Sequence, residues 1–358
     1  MTAEANSNPR IAIVGAGLGG LACARTLQKH HRAVTVFERK RSADVRSPSG
    51  TFSVQPGMGQ DALRATGLLD STALARPDGR EVRMFGSDAM LLHRLPPVGG
   101  RTGAPDMDCD RLRQLLLDAL TEGTVLWGTS VDRVVPLPDG TSRVHFDDRT
   151  TEDFDLVIGA DGAWSSTRRA LSEAVPAYLG RTFVETYIND PEARHHGVVH
   201  LIGSGSMVAM AGGKAMMARR LSNGRVRLRA AFRAPEDWHI GLDLSDAGVV
   251  LARLVEMYDG WDERLLDLLR VNNGGFVNRP LYALPVHMWA HVPGVTLLGD
   301  AAHLMPSFDI GANSALLDGA DLAEALVTEG GVDEAVRAYE DAMSVRWAAN
   351  AELATSRF

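Results

Sequence analysis

The stretch from Arg10 to Arg39 constrains the fold of this chain more than any other. Residues Ile11–Val14 form a short apolar run with β-branched members, which is typical of a strand buried on both faces. An amphipathic segment follows, and a second β-branched run ends in Glu38. Between the first strand and the amphipathic segment stand three glycines with G-x-G-x-x-G spacing, Gly15, Gly17 and Gly20. This order predicts a βαβ unit that binds a dinucleotide.

Each of the three glycines has a physical role in such a unit. The first turns the chain, the second lets a pyrophosphate approach the backbone, and the third lets the helix pack on the strand. The amides and the positive dipole at the helix start attract the phosphate charge. Glu38 stands where a carboxylate accepts hydrogen bonds from an adenosine ribose, which favours FAD or NAD over NADP. The stretch alone does not distinguish FAD from NAD, and a purely structural βαβ turn is the alternative.

The composition narrows the class of protein and its partners. A length of 358 residues exceeds one ordinary domain and indicates two lobes. The formal net charge of −8 argues against nucleic acid as the main partner. Two cysteines, Cys23 and Cys109, make a disulfide framework improbable and favour a reducing cytoplasm. Because no apolar signal region or membrane-length apolar run is visible, we expect a cytoplasmic protein with no membrane partner.

Two later stretches repeat the pattern of a buried strand followed by glycine and aspartate. The first strand, Leu156–Ile158, runs into Gly159-Ala160-Asp161-Gly162 and a Ser/Thr-rich helix start. These glycines allow a ligand to approach the backbone closely, and a strand with a capped helix is the structural alternative. The second strand, Val295–Leu298, runs into Gly299-Asp300, a loop and a helix that begins near Asn313. There an aspartate can bind ribityl hydroxyls, and a helix start can hold the pyrimidine oxygen of a flavin. His303 is a candidate base, with a structural role as the alternative.

Residues 176–274 have a different character, with short strands and many turns. Asn223-Gly224 predicts a hairpin turn between strands near 214–221 and 225–232. Alternation places Arg225, Arg227 and Arg229 on one face of the second strand. This pattern indicates a sheet face that is exposed to solvent. The alternative is that one of the arginines faces an anionic or enol-bearing substrate. Met216 is a candidate pocket residue, although methionine is also common core filler.

Three motifs of this chain resemble those of the single-component FAD-dependent aromatic hydroxylases of the p-hydroxybenzoate hydroxylase type. In chain order they are GAGLGG with Glu38, GADGAWSSTRR and GDAAHLMP. Within that group the chain looks closest to the tetracycline-inactivating flavin monooxygenases, which SGTFSVQPGMGQDALRATGLL also resembles. The resemblance implies an α/β fold: a Rossmann-like FAD-binding domain, an interleaved β-sheet substrate domain and a C-terminal helix. We expect the FAD-binding domain at 1–72, 100–175 and 275–330, the substrate domain at 73–99 and 176–274, and the helix at 331–358.

The resemblance also implies an activity and a set of cofactor contacts. In this family NADPH reduces FAD without a dedicated binding domain, and O2 is then activated on the flavin. We expect a monomer or homodimer that oxygenates a polycyclic or polyketide-like small molecule, with NADH or NADPH as co-substrate and without a metal. The residues implied in FAD binding are Gly15, Gly17, Gly20, Glu38, Arg39, Arg46, Arg113, Asp161, Gly162, Asp300, Gly311, Ala312 and Asn313.

The sequence departs from the family pattern at two places. Cys109 stands near a position where relatives often have a basic residue, so we expect weaker phosphate contacts there. The loop from Pro306 to Asn313 is one residue shorter than usual, with an acid and an isoleucine where glycine and glutamine would stand. Because this loop is altered, a flavoprotein-fold cyclase, in which FAD is structural and the ring closure is not a redox reaction, is the alternative function. A protein that sequesters its ligand is a third.

The altered loop supplies two further candidates. We expect Phe308 to stack against a planar substrate, in a pocket to which Met216 and Arg229 also contribute. Asp309 is a candidate proton donor for either reaction. A carboxylate that points to solvent or caps the following helix is the alternative.

Overall fold

The computed structural model describes residues 9–44, 50–70, 81–96, 105–221, 224–272, 275–306 and 310–357. Its strands are β1 (Ile11–Val14), β2 (Val34–Glu38), β3 (Thr51–Ser53), β4 (Val82–Phe85), β5 (Leu91–Leu95), β6 (Asp106–Asp108), β7 (Val125–Trp127), β8 (Val131–Pro136), β9 (Ser142–Phe146), β10 (Thr151–Phe154), β11 (Leu156–Gly159), β12 (Ala177–Ile188), β13 (Ser206–Ala211), β14 (Lys214–Arg220), β15 (Val226–Arg233), β16 (Val277–Ala283) and β17 (Val295–Leu297).

The helices connect these strands and close the chain. They are α1 (Leu18–Lys29), α2 (Gly59–Thr66), α3 (Cys109–Asp118), α4 (Pro191–Arg194), α5 (His196–Ile202), α6 (Ala247–Met257), α7 (Glu263–Arg270), α8 (Asp300–His303), α9 (Ile310–Thr328) and α10 (Val332–Arg357). The Ser/Thr-rich segment after β11 forms only a short 3-10 turn, Thr167–Ala170, where a helix start was predicted.

The described residues divide into two compact units. The first contains the described parts of Met1–Leu74, Asp106–Ala177 and Ala283–Phe358, and so includes α10. The second contains those of Ala75–Pro105 and Tyr178–Tyr282. Among the described residues, no helix combines the length and the apolar character that crossing a bilayer requires.

The first unit is built on a five-stranded parallel sheet with the strand order β17-β11-β1-β2-β7. Its inner strands are continuous apolar runs because both faces are covered, and every residue of β1 and of β11 is buried. The helices α1, α2, α3, α9 and α10 contribute to the core on one face. A second core, with Phe37, Val144 and Val157, joins this sheet to the antiparallel sheet β10-β9-β8.

Two glycines allow α1 and α9 to cross at unusually short range. A Cβ at Gly19 would lie 2.6 Å from the Ala315 carbonyl oxygen, and one at Gly319 would lie 2.2 Å from the Gly19 carbonyl oxygen. Larger side chains would push the helices apart, because interiors are close-packed. The crossing places the first turns of α9 beside the glycine-rich loop that precedes α1.

The second unit is a seven-stranded sheet with the order β16-β12-β15-β14-β13-β4-β5. The strands β4 and β5 form an antiparallel pair. The strands β14 and β15 pair antiparallel as predicted, although Asn223 of their turn lies outside the described residues. Val226, Leu228 and Ala230 are buried with residues of α5, α6 and α7 on one face of this sheet. The two units together confirm the predicted α/β class, a Rossmann-like parallel sheet with a separate β-sheet unit.

Candidate cofactor and substrate site

The three glycine-containing stretches of the sequence meet at one edge of the parallel sheet. Val14 at the end of β1 pairs in register with Gly159 of β11 and with Phe37 of β2, and Gly159 pairs with Leu297 of β17. The loops that follow these strands therefore lie side by side at the carboxyl edge, where open α/β sheets bind ligands. They carry the glycine-rich loop, Glu38, Asp161 and the Gly299–Asp300 turn.

Ala16, between the first two glycines of the motif, is held on both sides by charged groups. Its backbone N–H donates to Glu38 Oε2 at 2.9 Å, and its carbonyl accepts from Arg113 Nε at 3.0 Å. The other Glu38 oxygen accepts from the backbone N–H of Lys40 at 3.0 Å. A second Arg113 nitrogen donates to the Ala43 carbonyl at 3.2 Å, and the guanidinium lies over the Trp127 ring. Glu38 and Arg113 therefore fix the loop as well as being candidate FAD contacts.

The space around the glycines fits a phosphate ligand. At Gly15, where φ is +109°, a Cβ would lie 2.4 Å from the Ala160 carbonyl oxygen, and at Gly20 it would lie 2.2 Å from the Gly15 carbonyl oxygen. At Gly17 no atom of the described residues comes within 4 Å of such a Cβ. The first and third glycines are thus required by packing, whereas Gly17 faces open space, as the approach of a pyrophosphate requires.

Asp161 caps the short turn that follows β11. Its Oδ2 accepts from the backbone N–H groups of Ser166 and Thr167 at 2.8 and 3.1 Å. Its Oδ1 is buried and has no hydrogen-bond partner among the described residues. The next residue, Gly162, has φ +80° and, within the described part of the chain, no atom within 4 Å of a Cβ. This loop therefore contains a carboxylate that caps the following turn and, in Gly162, a backbone position that a ligand could approach closely.

Arg168 joins the loop after β11 to the loop after β17. This buried side chain donates to the Ala301 carbonyl at 2.7 Å from Nε, and to the Ala163 and Asp300 carbonyls at 2.6 and 3.2 Å from Nη2. Burial lowers the pKa of Arg168. Arg168 was not among the predicted site residues, although it lies within the GADGAWSSTRR stretch.

The start of α9 lies against β3 through Asn313. The fully buried Asn313 amide accepts from the Gln55 N–H at 2.9 Å and donates to the Ser53 carbonyl at 2.8 Å. These contacts hold the Asn313 side chain against the backbone of Ser53 and Gln55, and the FAD contact expected of Asn313 stays a prediction. Gly311 and Ala312 are partly buried in the same first turn.

The Gly299–Asp300 turn rests on a buried ion pair between His303 and Asp318. Asp318 Oδ2 accepts from the Gly299 N–H at 3.0 Å and lies 2.5 Å from His303 Nε2. Burial alone would raise the pKa of Asp318, but the His303 charge, its hydrogen bond and the Gly299 N–H lower it below its usual value. Burial alone would lower the pKa of His303, but Asp318 raises it above its usual value. His303 is therefore engaged in a structural ion pair.

The second unit carries a charged cluster on the sheet face opposite its helices. Arg229 Nε lies 2.8 Å from Glu185 Oε2, and the Tyr187 hydroxyl donates to Glu185 Oε1 at 3.1 Å. The prediction of a solvated face is wrong for Arg227, which is 6% exposed and lies near the buried Glu185, whereas Arg225 and Arg229 are partly exposed. Burial lowers the pKa of Arg227, and the neighbouring charge of Arg229 lowers it further.

Met216 and Arg229 do not share a face of this sheet. Met217 pairs in register with Arg229, whereas Met216 pairs with Ala230, which faces the helices. Met216 is fully buried in the core of the second unit. The prediction that both side chains line one pocket is therefore corrected, and Met217 is the methionine beside Arg229.

The remaining predicted residues are placed as follows. Arg39 is exposed directly after β2. Cys109 is the first residue of α3 and follows Asp108, whose side chain caps that helix. Arg46, Phe308 and Asp309 lie outside the described residues, so their assigned roles stay predictions.

Comparison with known proteins identifies the family. A family model described as an NAD(P)-binding Rossmann-like domain matches residues 13–57. A 3-amino-4-hydroxybenzoate 2-monooxygenase from Streptomyces cremeus is 32% identical over an alignment that covers 92% of this chain and 82% of that enzyme. The chain belongs to the FAD-dependent monooxygenases of the p-hydroxybenzoate hydroxylase type.

Solved structures share the fold of this flavin monooxygenase. The HpxO structure from Klebsiella pneumoniae, complexed with FAD and uric acid, has a TM-score of 0.80 at 21% identity and covers 97% of this chain and 87% of its own. The tetracycline destructase Tet(51) has a TM-score of 0.70 at 21% identity and covers 98% of this chain and 90% of its own. These structures confirm the predicted fold, and the relative at 32% identity confirms the predicted family and enzyme class.

Proposed function

We propose that this monooxygenase binds FAD at the carboxyl edge of its parallel sheet and oxygenates a polycyclic or polyketide-like small molecule with NAD(P)H and O2. The observation that carries the proposal is the convergence of the glycine-rich loop, Glu38, Asp161 and the Gly299–Asp300 turn at one sheet edge. Bound FAD would supply hydride acceptance and O2 activation, which protein side chains cannot supply. The residues of the chain would bind, orient and shield the reactants.

The residues at the edge fit the two halves of FAD. Gly17 and the N–H groups at the start of α1 would face the pyrophosphate, and Glu38 would accept from the adenosine ribose. Both Glu38 oxygens already accept one backbone N–H each, and each carboxylate oxygen has capacity for a second donor. Asp300 would accept from the ribityl hydroxyls, and the first turn of α9 would face the flavin.

The charged face of the seven-stranded sheet supports an acidic, planar substrate. Arg227 and Arg229 stand beside a single buried carboxylate, Glu185, and Met217 adds an apolar surface next to them. Guanidinium groups recognise carboxylates and enolates through paired, charge-assisted hydrogen bonds. The relative from Streptomyces is named for a hydroxybenzoate, and the HpxO structure holds uric acid, both of which are planar acidic rings.

The test is mass spectrometry of the product with and without NAD(P)H and 18O2. An oxygenase gives a product that carries label and forms only with NAD(P)H. A product of unchanged elemental composition that forms without NAD(P)H would replace the oxygenase with the cyclase. Tight ligand binding without any turnover would point to a sequestering protein.

Glu38→Gln should weaken FAD binding. The amide keeps one acceptor oxygen but loses the charge, and charge-assisted hydrogen bonds contribute roughly 1.5–3 kcal/mol each. Part of that loss would come from the Ala16 N–H, which Glu38 holds in this structure. Fluorescence titration of the apoprotein with FAD measures the change. Glu152→Gln, which removes an exposed carboxylate of the same unit, is the control, and equal affinity of Glu38→Gln and wild type would remove Glu38 from the site.

Arg229→Gln should raise the KM for an acidic substrate about tenfold, because one charge-assisted hydrogen bond is lost. The glutamine can still donate to Glu185, which limits the cost to the fold. Arg233→Gln, four residues along on the same strand and exposed, is the matched control. Initial rates of NAD(P)H oxidation with the acid and with its methyl ester measure the effect. An equal rise in KM for the ester would show that Arg229 does not recognise the acidic group.

A further inference from the structure

The Gly299–Asp300 turn needs support from outside its own backbone. Gly299 has φ +60° and ψ −141°, a conformation that only glycine adopts readily. A Cβ there would also lie 2.9 Å from the Ala315 Cβ. The backbone N–H of Gly299 donates to Asp318 on α9. The direction in which Asp300 points therefore depends on the position of the Asp318 carboxylate.

Asp318 is held by groups from two further elements. Its side chain is 2% exposed, and burying a carboxylate is costly unless cations and donors surround it. His303 of α8 contacts one of its oxygens, and Arg346 Nη2 of α10 contacts the other at 3.2 Å. Asp300 and Arg168 are the other charged groups that act on this cluster. Arg346 is thus the residue through which the C-terminal helix α10 contacts the Asp318 carboxylate.

Arg346 also ties α10 to a second carboxylate on α9. Its Nη1 lies 2.8 Å from Asp321 Oδ2. Other side chains fasten the same helix to β17. The Tyr339 hydroxyl donates to the Leu297 carbonyl at 2.9 Å, and Glu340 accepts from the Thr296 hydroxyl at 2.8 Å. The helix α10 thus contacts both the strand that leads into the Gly299–Asp300 turn and the carboxylate that fixes the turn.

We propose that Arg346 is a positioning residue for the flavin half of FAD: by holding Asp318, it fixes the Gly299–Asp300 turn and so raises the affinity for the cofactor. The inference rests on the proposed FAD site. It assigns a cofactor-binding role to a residue of the C-terminal helix that does not itself line the sheet edge.

The test compares the binding of FAD with that of ADP to the apoenzyme. ADP carries the ribose and pyrophosphate that would bind at Glu38 and Gly17, but it lacks the ribityl and flavin groups. Arg346→Gln should weaken FAD binding roughly tenfold, because a charge-assisted hydrogen bond to Asp318 is lost, and should leave ADP binding within about twofold of wild type. Arg346→Lys, which keeps the charge, should recover part of the loss. Isothermal titration and the apoprotein Tm are measured on every variant.

Two control variants separate the path through Asp318 from general effects of α10. Arg337→Gln removes an exposed arginine of the same helix that pairs with Asp333. Asp321→Asn removes the other carboxylate partner of Arg346 and leaves Asp318 intact. Both should bind FAD within about twofold of wild type, since exposed or partly exposed pairs contribute little.

The outcomes are distinct for the two proposals. Equal weakening of FAD and ADP, or a lower apoprotein Tm with unchanged FAD affinity, would reduce Arg346 to a structural role and overturn the inference. A loss of FAD binding in Asp321→Asn or Arg337→Gln as large as that in Arg346→Gln would also overturn it. If folded wild type binds neither FAD nor ADP, the proposed function fails, and the inference fails with it.

Discussion

Gly15→Ala is expected to destabilise the apoprotein by about 3 kcal/mol or more, whereas Gly17→Ala should leave its stability within about 0.5 kcal/mol of wild type. At Gly15 the added Cβ would lie 2.4 Å from the Ala160 carbonyl oxygen, at a φ of +109°. At Gly17, φ is −79° and, among the described residues, no atom lies within 4 Å of the added Cβ. The two variants add the same methyl group to the same loop, so each is the control for the other.

The same pair of variants locates the pyrophosphate. Gly17→Ala should weaken FAD binding although it spares the fold. The added methyl group would fill the space beside the Gly17 backbone that the pyrophosphate needs for its closest approach. Urea unfolding of the apoproteins gives the stability, and titration with FAD gives the affinity. Unchanged FAD affinity in Gly17→Ala would show that the pyrophosphate does not approach this residue.

Asp318→Asn is expected to destabilise the protein by about 3–5 kcal/mol, the usual cost of breaking a buried ion pair. The amide oxygen can still accept the Gly299 N–H, but His303 and Arg346 lose the charge that they surround. Asp153→Asn is the matched control, since it breaks an Asp–Arg pair whose side chains are both 43% exposed. That change should cost no more than about 1 kcal/mol.

The difference in stability between wild type and Asp318→Asn should depend on pH in a defined way. The lowered pKa of Asp318 makes its contribution present above the unfolded value of about 3.9, and the contribution is lost as the pH falls through the lower, folded pKa. The raised pKa of His303 makes its contribution fully present below the unfolded value of about 6.5, and the contribution is lost as the pH rises through the higher, folded pKa. The difference should therefore be largest between about pH 4 and 6.5. Unfolding free energies of both proteins over a pH series measure it, and a difference that does not vary with pH would contradict the ion pair.

Much of the first unit could be predicted from the sequence because its signals are local. The apolar run Ile11–Val14, the glycine spacing and Glu38 lie within one short segment, and the strands and the helix form as predicted. The same holds for the strand that ends at Gly159 and the strand that leads into Gly299. In each case the backbone geometry and the burial depend on only a few neighbouring residues, so the local sequence was sufficient to predict the element.

The second unit shows where such local signals stop. Alternation correctly separated Val226 from Arg227, but it did not show which faces of the sheet are covered. Arg227 is buried and Met216 lies in the helix-covered core, because burial depends on elements that are distant in the sequence. Periodicity tells which side chains share a face; only packing decides what covers it.

By itself the sequence determined the Rossmann-like unit, because that unit depends on glycines and an acid at fixed local spacing. The family, and the cofactor residues that it implies, came from the resemblance of three motifs. Only the tertiary structure decided how those residues are held. It places the Asn313 amide against the backbone of Ser53 and Gln55, and it supports the Gly299–Asp300 turn through Asp318. It also brings Arg346 of the last helix to that carboxylate. A buried polar group must find partners wherever the fold supplies them, and partners so far apart along the chain leave no local pattern.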